Sequence, residues 1–217
     1  MEKIARVMVS ECNLYRYALN RDDLSINARV LWCYLCTQVS LDVHSAGLKL
    51  SEVLAERDEA VYLENVSYVN IPSKLRLSRH RYREAMSELF EKRYYVLDRL
   101  YFPMQMLDGG FFKLRSEEGM TPWDYVLYSW LLDRIEYGGG NMTDVTNASI
   151  AAGLGVGEAS VKKWKGVLYA NGWLKAVRYG KMVYCADPVA MEKDGGPRPP
   201  KVPSRGVKPM RLNLERF

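Results

Sequence analysis

No stretch of the chain approaches the ~20 consecutive apolar residues of a membrane span, and Met1-Glu2-Lys3 leads into no apolar core of a secretory signal. A cytoplasmic protein without a membrane partner is therefore expected. Cysteine is scarce, with four in all. Only Cys33-Tyr34-Leu35-Cys36 has the spacing of a redox pair or half a zinc site. It sits in a strongly apolar helical segment with no second pair to complete a metal set, so two core-facing or half-buried thiols are the better reading. Histidine is scarcer: His44 and His80 stand in no ligand or triad pattern. The acidic residues form no recognisable catalytic pair, and Gly153-Leu154-Gly155-Val156-Gly157 lacks both the lysine-serine/threonine pair of a phosphate loop and the spacing of a dinucleotide fingerprint. These absences argue against an enzyme and leave no catalytic residue, metal site or cofactor to nominate. The Asn-x-Ser/Thr triplets at Asn65, Asn141 and Asn147 read as chance matches.

What the chain does hold is a repeat. Its 217 residues, 48 % hydrophobic and 12 % aromatic, suit two globular domains of roughly 90 residues. Leu14-Tyr15-Arg16-Tyr17 returns 97 positions later as Phe111-Phe112-Lys113-Leu114. Ser25 and the run Val30 to Leu35 return at an offset of 96 as Thr121 and Val126 to Leu131. Leu77-Ser78 through Tyr82-Arg83 to Leu89 returns at an offset of 79 as Val156-Gly157 through Val161-Lys162 to Leu168. The fall from 96 to 79 places 17 extra residues in the first copy, between 41 and 70.

The second copy is the more regular. Thr121-Pro122-Trp123-Asp124 has the residues of a helix start with a capping box, followed at helical spacing by Val126, Leu127, Trp130 and Leu131. Asn147 is placed to cap a second helix containing Ile150, Ala151 and Ala152, which the glycines from Gly153 to Gly157 end. A third helix from Glu158 puts Val161, Trp164 and Leu168 on one face and Lys162, Lys163 and Lys165 largely away from it. Beyond Asn171-Gly172, Trp173 to Arg178 and Lys181 to Cys185 alternate as a hairpin around Tyr179-Gly180.

The first copy departs from this pattern in detail. Ser25 caps a helix with the apolar stripe Ala28, Leu31, Trp32, Leu35 and Val39, but Ile71-Pro72 leaves room for only a short second helix, and Arg76 stands where the turn glycine would be. In the helix that follows, Tyr82, Ala85, Met86, Leu89 and Phe90 are expected to bury, while Arg79, His80, Arg81 and Arg83 crowd its beginning. Arginine there can pair bidentately with guanine; a solvated helix face is the plainer alternative. The extra segment is expected to hold a helix from Leu50 to Glu56 and strands around Val61-Tyr62-Leu63 and Tyr68-Val69-Asn70. From Asp187 onward prolines exclude regular structure, and Arg198, Lys201, Arg205, Lys208, Arg211 and Arg216 against Glu215 carry the whole net charge of +5. That tail is read either as a docked segment anchored by Met210, Leu212, Leu214 and Phe217 or as a basic tether along phosphates.

Small Ala151, the Leu154-Gly155-Val156 turn, Val161 and bulky Trp164 together resemble the helix-turn-helix pattern, and the hairpins stand where wings would. The chain from 14 to 186 resembles the small winged-helix replication proteins of plasmids, phages and integrative elements. Their aromatic-basic strand and Leu-Ser-x-x-Ala-(Arg/Lys)-x-Leu helix correspond to Tyr15-Arg16 and Leu24-Ser25-Ile26-Asn27-Ala28-Arg29-Val30-Leu31. The expected fold is α+β, mainly helical: two tandem winged helix-turn-helix domains related by duplication, at 1–107 with its insertion and 108–187, then a basic proline-rich tail at 188–217. The resemblance implies a sequence-specific binder of double-stranded DNA that initiates replication, with host replication proteins or a second copy of the chain as further partners. A transcriptional regulator of a mobile element, and a non-enzymatic protein-binding adaptor or phage-encoded inhibitor, are the alternatives. The residues nominated for DNA are Lys74, Ser78, Arg79, His80, Arg81, Arg83, Asn147, Ser160, Lys162, Lys163, Lys165, Arg178 and Lys181.

Overall fold

A computed structural model describes residues 12–62, 71, 75–114, 120–137, 142–179 and 182–186. Their elements run β1 (Asn13–Tyr15), α1 (Arg16–Leu19), α2 (Ile26–Ser45), α3 (Leu50–Glu56), β2 (Ala60–Tyr62), α4 (Arg79–Glu91), β3 (Tyr95–Val96), β4 (Arg99–Tyr101), α5 (Gln105–Asp108), β5 (Phe111–Lys113), α6 (Pro122–Tyr137), β6 (Met142–Thr143), α7 (Asn147–Leu154), α8 (Glu158–Ala170), β7 (Lys175–Tyr179) and β8 (Met182–Ala186). The class is α+β and mainly helical. Contacts divide the chain into one unit of Met1–Ala18 with Asn27–Arg115 and a second of Leu19–Ile26 with Ser116–Phe217. The division falls after Arg115, not at 107, because β5 pairs with β1 and stays in the first unit.

In the first unit α2 has no solvent face from Ala28 to Thr37. The expected stripe was too narrow: Val30, Cys33, Tyr34 and Cys36 are as buried as Leu31 and Trp32, and a helix apolar all round is a core helix. Trp32 is fully buried, stacks edge-on to Tyr94 at 4.4 Å and donates from Nε1 to the Tyr101 carbonyl at 2.7 Å. Edge-to-face ring pairs add roughly 0.5–1.5 kcal/mol beyond the area they bury. Thr37 ties α2 to β1: its Oγ1 accepts from the Asn13 amide at 2.9 Å. Strand β1 pairs antiparallel with β5, Leu14 opposite Phe112 and Tyr15 opposite Phe111. Helix α3 occupies the expected span. Strand β2 pairs with β4 in a sheet ordered β2-β4-β3; the strand expected at 68–70 lies outside the described residues. Phe90, expected to bury, is 57 % exposed.

In the second unit α6 is likewise buried throughout from Asp124 to Leu132. Its start is half of a capping box: the Asp124 carboxylate accepts from the Thr121 amide at 2.5 Å and the Thr121 hydroxyl at 2.7 Å, so the hydroxyl donates instead of capping. Ser129 on this helix donates to the Asn20 side chain at 2.9 Å. Helix α7 is capped by Thr146, whose hydroxyl accepts from the Ser149 amide at 3.1 Å, one residue before the expected Asn147. Trp173, expected in the strand, instead sets its ring edge-on to Tyr125 at 5.3 Å and Tyr128 at 5.0 Å. The sheet is ordered β6-β8-β7, first strand, third, second, the same order as in the first unit.

The turns correspond residue for residue at the 79-residue offset. Ile71 and Ile150, and Leu75 and Leu154, are buried pairs of counterparts. Gly155, left-handed at φ +64, ends α7, and Arg76 adopts φ +54 at the matching position. Helices α4 and α8 are both 13 residues long and begin after the counterparts Ser78 and Gly157. Each is followed by a left-handed residue, Arg93 at φ +62 and Gly172 at φ +74, which turns the next amide back to the helix: Tyr94 N–H donates to the Leu89 carbonyl at 2.8 Å, Trp173 N–H to that of Leu168 at 2.9 Å. Tyr94 then meets Trp32 in one unit, and Trp173 meets Tyr128 in the other.

An L-residue other than glycine in the left-handed region is strained by about 1–2 kcal/mol, and glycine returns part of that as unfolded-state entropy. Arg76→Gly should therefore raise stability by about 0.5–1 kcal/mol in urea denaturation, whereas Gly155→Ala should lower it by a similar or larger amount. At Gly153 a Cβ would lie 2.7 Å from Cζ2 of the buried Trp130 ring, whose face carries the Arg134 guanidinium at 3.2 Å. The helix-propensity gain of alanine, about 1 kcal/mol, cannot offset such overpacking. Gly153→Ala should cost a net ~1–2 kcal/mol, read by the same denaturation.

Candidate nucleic-acid interface

The charge on α4 is arranged against its own dipole. A helix N-terminus is positive and favours acidic residues in its first turn, by about 0.3–1 kcal/mol each. The first turn of α4 holds no acidic residue. It holds Arg79, His80 and Arg81, followed by Arg83, all exposed. Ser78 caps the helix, its hydroxyl accepting from the Arg81 amide at 3.3 Å, so this nominated residue is engaged within the chain. His80 Nδ1 lies 3.1 Å from Glu84 Oε2, with both side chains more than 60 % exposed, a pair that solvent screens to little. Arg79, Arg81 and Arg83 have no ion partner among the described residues. Ala85 and Leu89 fix the helix from beneath, and its acidic residues follow toward the C-terminal end, where Glu88 meets Lys92 at 3.3 Å.

Helix α8 obeys the dipole rule. Glu158 lies in its first turn, and Gly157 precedes it without a side-chain cap. Lys162 and Lys163 are exposed one turn further on, whereas Ser160 and Lys165 are half-buried. Lys165 Nζ donates to Asn147 Oδ1 at 3.4 Å, which ties α8 to α7 and occupies two of the nominated residues with each other. Arg178 is in β7, its backbone opposite Val183; its side chain lies outside the description, as do Lys74 and Lys181 altogether. The structure thus gathers Arg79, His80, Arg81 and Arg83 in the first unit and Lys162 and Lys163 in the second. Arg93 and Arg99, exposed on the hairpin after α4, escaped the sequence reading; Arg99 had a signal, since it alternates with buried Leu100 as an outward strand residue does.

The thiols lie apart from these surfaces. All four cysteines are free and buried. Burial pushes the Cys12 thiol up to about 12, with the Thr37 hydrogen bond opposing, and raises Cys33 and Cys36 well above the ordinary range, each reinforced by neighbouring thiols. Burial also raises Tyr169, whose hydroxyl lies 3.3 Å from Cys185 Sγ. Among the described residues no cluster of three or more histidines, cysteines or carboxylates is placed to hold a metal ion. No described helix is long and apolar enough to cross a membrane.

Comparison with protein-family models, with curated proteins and with solved structures finds no match to this chain.

Thiols held neutral by burial are poor nucleophiles. The native protein should leave Cys12, Cys33 and Cys36 unreacted toward an aromatic disulfide reagent at pH 8, and release of all four thiols should track unfolding. Because these folded thiols ionise above their unfolded value, the stability they support is intact below about pH 9 and is lost as pH rises toward 12, which denaturation midpoints across that range check.

Proposed function

We propose that this chain is a sequence-specific double-stranded DNA-binding protein built from two tandem winged helix-turn-helix units related by duplication. The observation that carries the reading is the exposed basic first turn of α4, set at the positive end of the helix dipole without an intrachain acid on its arginines among the described residues. Positive charge concentrated where the free helix N–H groups also point is unfavourable in isolation and favourable against phosphate. The helix-turn-helix spacing, the left-handed turn residues Arg76 and Gly155, and the hairpin after each second helix support the same reading. Within it, α4 discriminates sequence and α8 grips backbone, since the arginine fork matches guanine O6 and N7 whereas lysine is a flexible point charge. Initiation of replication at origin repeats is the role we favour, on the Tyr15-Arg16 and Leu24 to Leu31 resemblance; operator binding by a regulator uses the same surfaces.

Anisotropy titrations on a selected duplex and on random duplex test this directly. Log affinity should fall linearly with log salt, and replacing Lys162 and Lys163 by alanine should weaken both duplexes alike and flatten the slope by about 1–2 units. Arg79→Ala or Arg83→Ala should cost about 1–3 kcal/mol on the selected site and much less on random DNA. Salt-independent binding, or no binding to any duplex, overturns the proposal.

A further inference from the structure

The hairpin of the first unit and the turn into it hold three left-handed residues within six positions, of which arginine and leucine are strained there. Arg93, Leu97 and Asp98 are all left-handed, at φ +62, +50 and +60. Leu97 and Asp98 form the two-residue loop between β3 and β4, a type I′ position that asparagine and glycine suit and leucine does not. Leu97 is besides 83 % exposed, the most exposed large apolar side chain described. The second unit has Gly172 where the first has Arg93, so strain at that position is not a requirement of the topology. Strain and an apolar side chain placed together in water mark a surface built for contact.

The surface has a shape. Cross-strand register sets Ala60 opposite Tyr101 and Val96 opposite Arg99, so these four share the outer face of the sheet, while Val61 and Leu100 turn to the core. Small Ala60 leaves a recess beside Tyr101, whose ring is held by contacts to Trp32 at 6.4 Å and Tyr94 at 6.1 Å. Arg93 and Leu97 complete an open groove of about 520 Å³ with no carboxylate among its lining residues. Arg93 and Arg99 flank an apolar strip of Val96, Leu97 and Tyr101. The nearby Asp98 carboxylate accepts from the Tyr95 hydroxyl at 2.7 Å and stands at the loop tip.

We propose that this groove docks a protein segment that presents a bulky apolar side chain between carboxylates: the apolar group fills the recess beside Tyr101 under Leu97, and the carboxylates meet Arg93 and Arg99. The groove shares no lining residue with the basic turn of α4, so the proposal rests on different residues from those proposed for DNA.

The test uses the full chain and a fluorescein-labelled peptide of sequence Asp-Asp-Leu-Phe-Asp-Asp, with Asn-Asn-Leu-Phe-Asn-Asn as its neutral control. Saturable anisotropy below about 1 mM is expected for the acidic peptide, with at least about fivefold weaker binding of the control. Leu97→Asn, which suits the left-handed turn and should not lower the melting temperature, is expected to weaken the acidic peptide about fivefold or more, and Arg93→Gln with Arg99→Gln to do the same. In a parallel titration Leu97→Asn should leave duplex DNA affinity unchanged. Absence of saturation, equal binding of both peptides, or unchanged peptide affinity in Leu97→Asn overturns the proposal. Loss of duplex affinity in Leu97→Asn would assign the hairpin to DNA, and a concentration-dependent dimer abolished by that substitution would assign it to a second copy; either also overturns it.

Discussion

An aromatic ring returned to a helix that has no free face is the constraint on which each unit depends. Helix α2 is buried on every side from Ala28 to Thr37, and α6 from Asp124 to Leu132. Neither can be amphipathic, so neither orients itself by a water-facing side; specific contacts must do that. In the first unit the contact is Trp32 with Tyr94, in the second Tyr128 with Trp173. Both rings that arrive from outside follow a left-handed residue at the end of the exposed helix, and in both the backbone N–H donates a hydrogen bond back to the carbonyl of that helix's last buried leucine. The direction in which α4 or α8 leaves the core is thereby coupled to the start of the hairpin. Removal of Trp32, fully buried, would lose about 3–5 kcal/mol, comparable to the whole stability of a small domain.

Matching turn positions are filled with different chemistry in the two units. Positions 76 and 93 are arginine in the first and their counterparts 155 and 172 are glycine in the second, although all four are left-handed. Glycine meets that geometry without strain, so the second unit is the locally consistent one. The first unit carries strain in its turns and unfavourable charge at the start of α4, and exposed apolar groups at Phe90 and Leu97. Departures from local consistency tend to gather where a surface is used. The proposed base-reading turn and the hairpin groove both fall in this unit, one at the beginning of α4 and one beyond its end.

Legibility in the sequence tracked how local the determining force is. The Asp124 half of the capping box on α6, the Leu50–Glu56 helix and the glycine turn at 155 were readable because each is fixed by a few neighbouring residues. The width of the buried surface on α2 was not, since period alone cannot tell a stripe from a helix covered all round. Asn147 was named as a cap because it is a strong capping residue, but Thr146 beside it is another, and only the extended backbone at Thr146 decides between them. Nor is the close approach of Gly153 to Trp130 legible, a contact 23 residues apart without a local signature. Phe90 was placed inside by helical spacing and lies outside, because Ala85 and Leu89 already complete the buried face of α4.

For the candidate interface the sequence located the charges but not their engagement. Ser78, Lys165 and Asn147 had the right chemistry for phosphate contact and are instead bonded within the chain, the first as a cap and the other two to each other. A residue held in that way contacts DNA only if the bond opens or a second lone pair is used. Arg79, Arg81 and Arg83 need no such release. The difference separates residues by what binding would cost them: the exposed arginines lose mainly side-chain entropy, whereas Lys165 loses in addition its bond to Asn147 and leaves that amide oxygen half-buried. On equal contact with a phosphate the exposed arginines of α4, and Lys162 and Lys163 on α8, therefore gain more than Lys165 does.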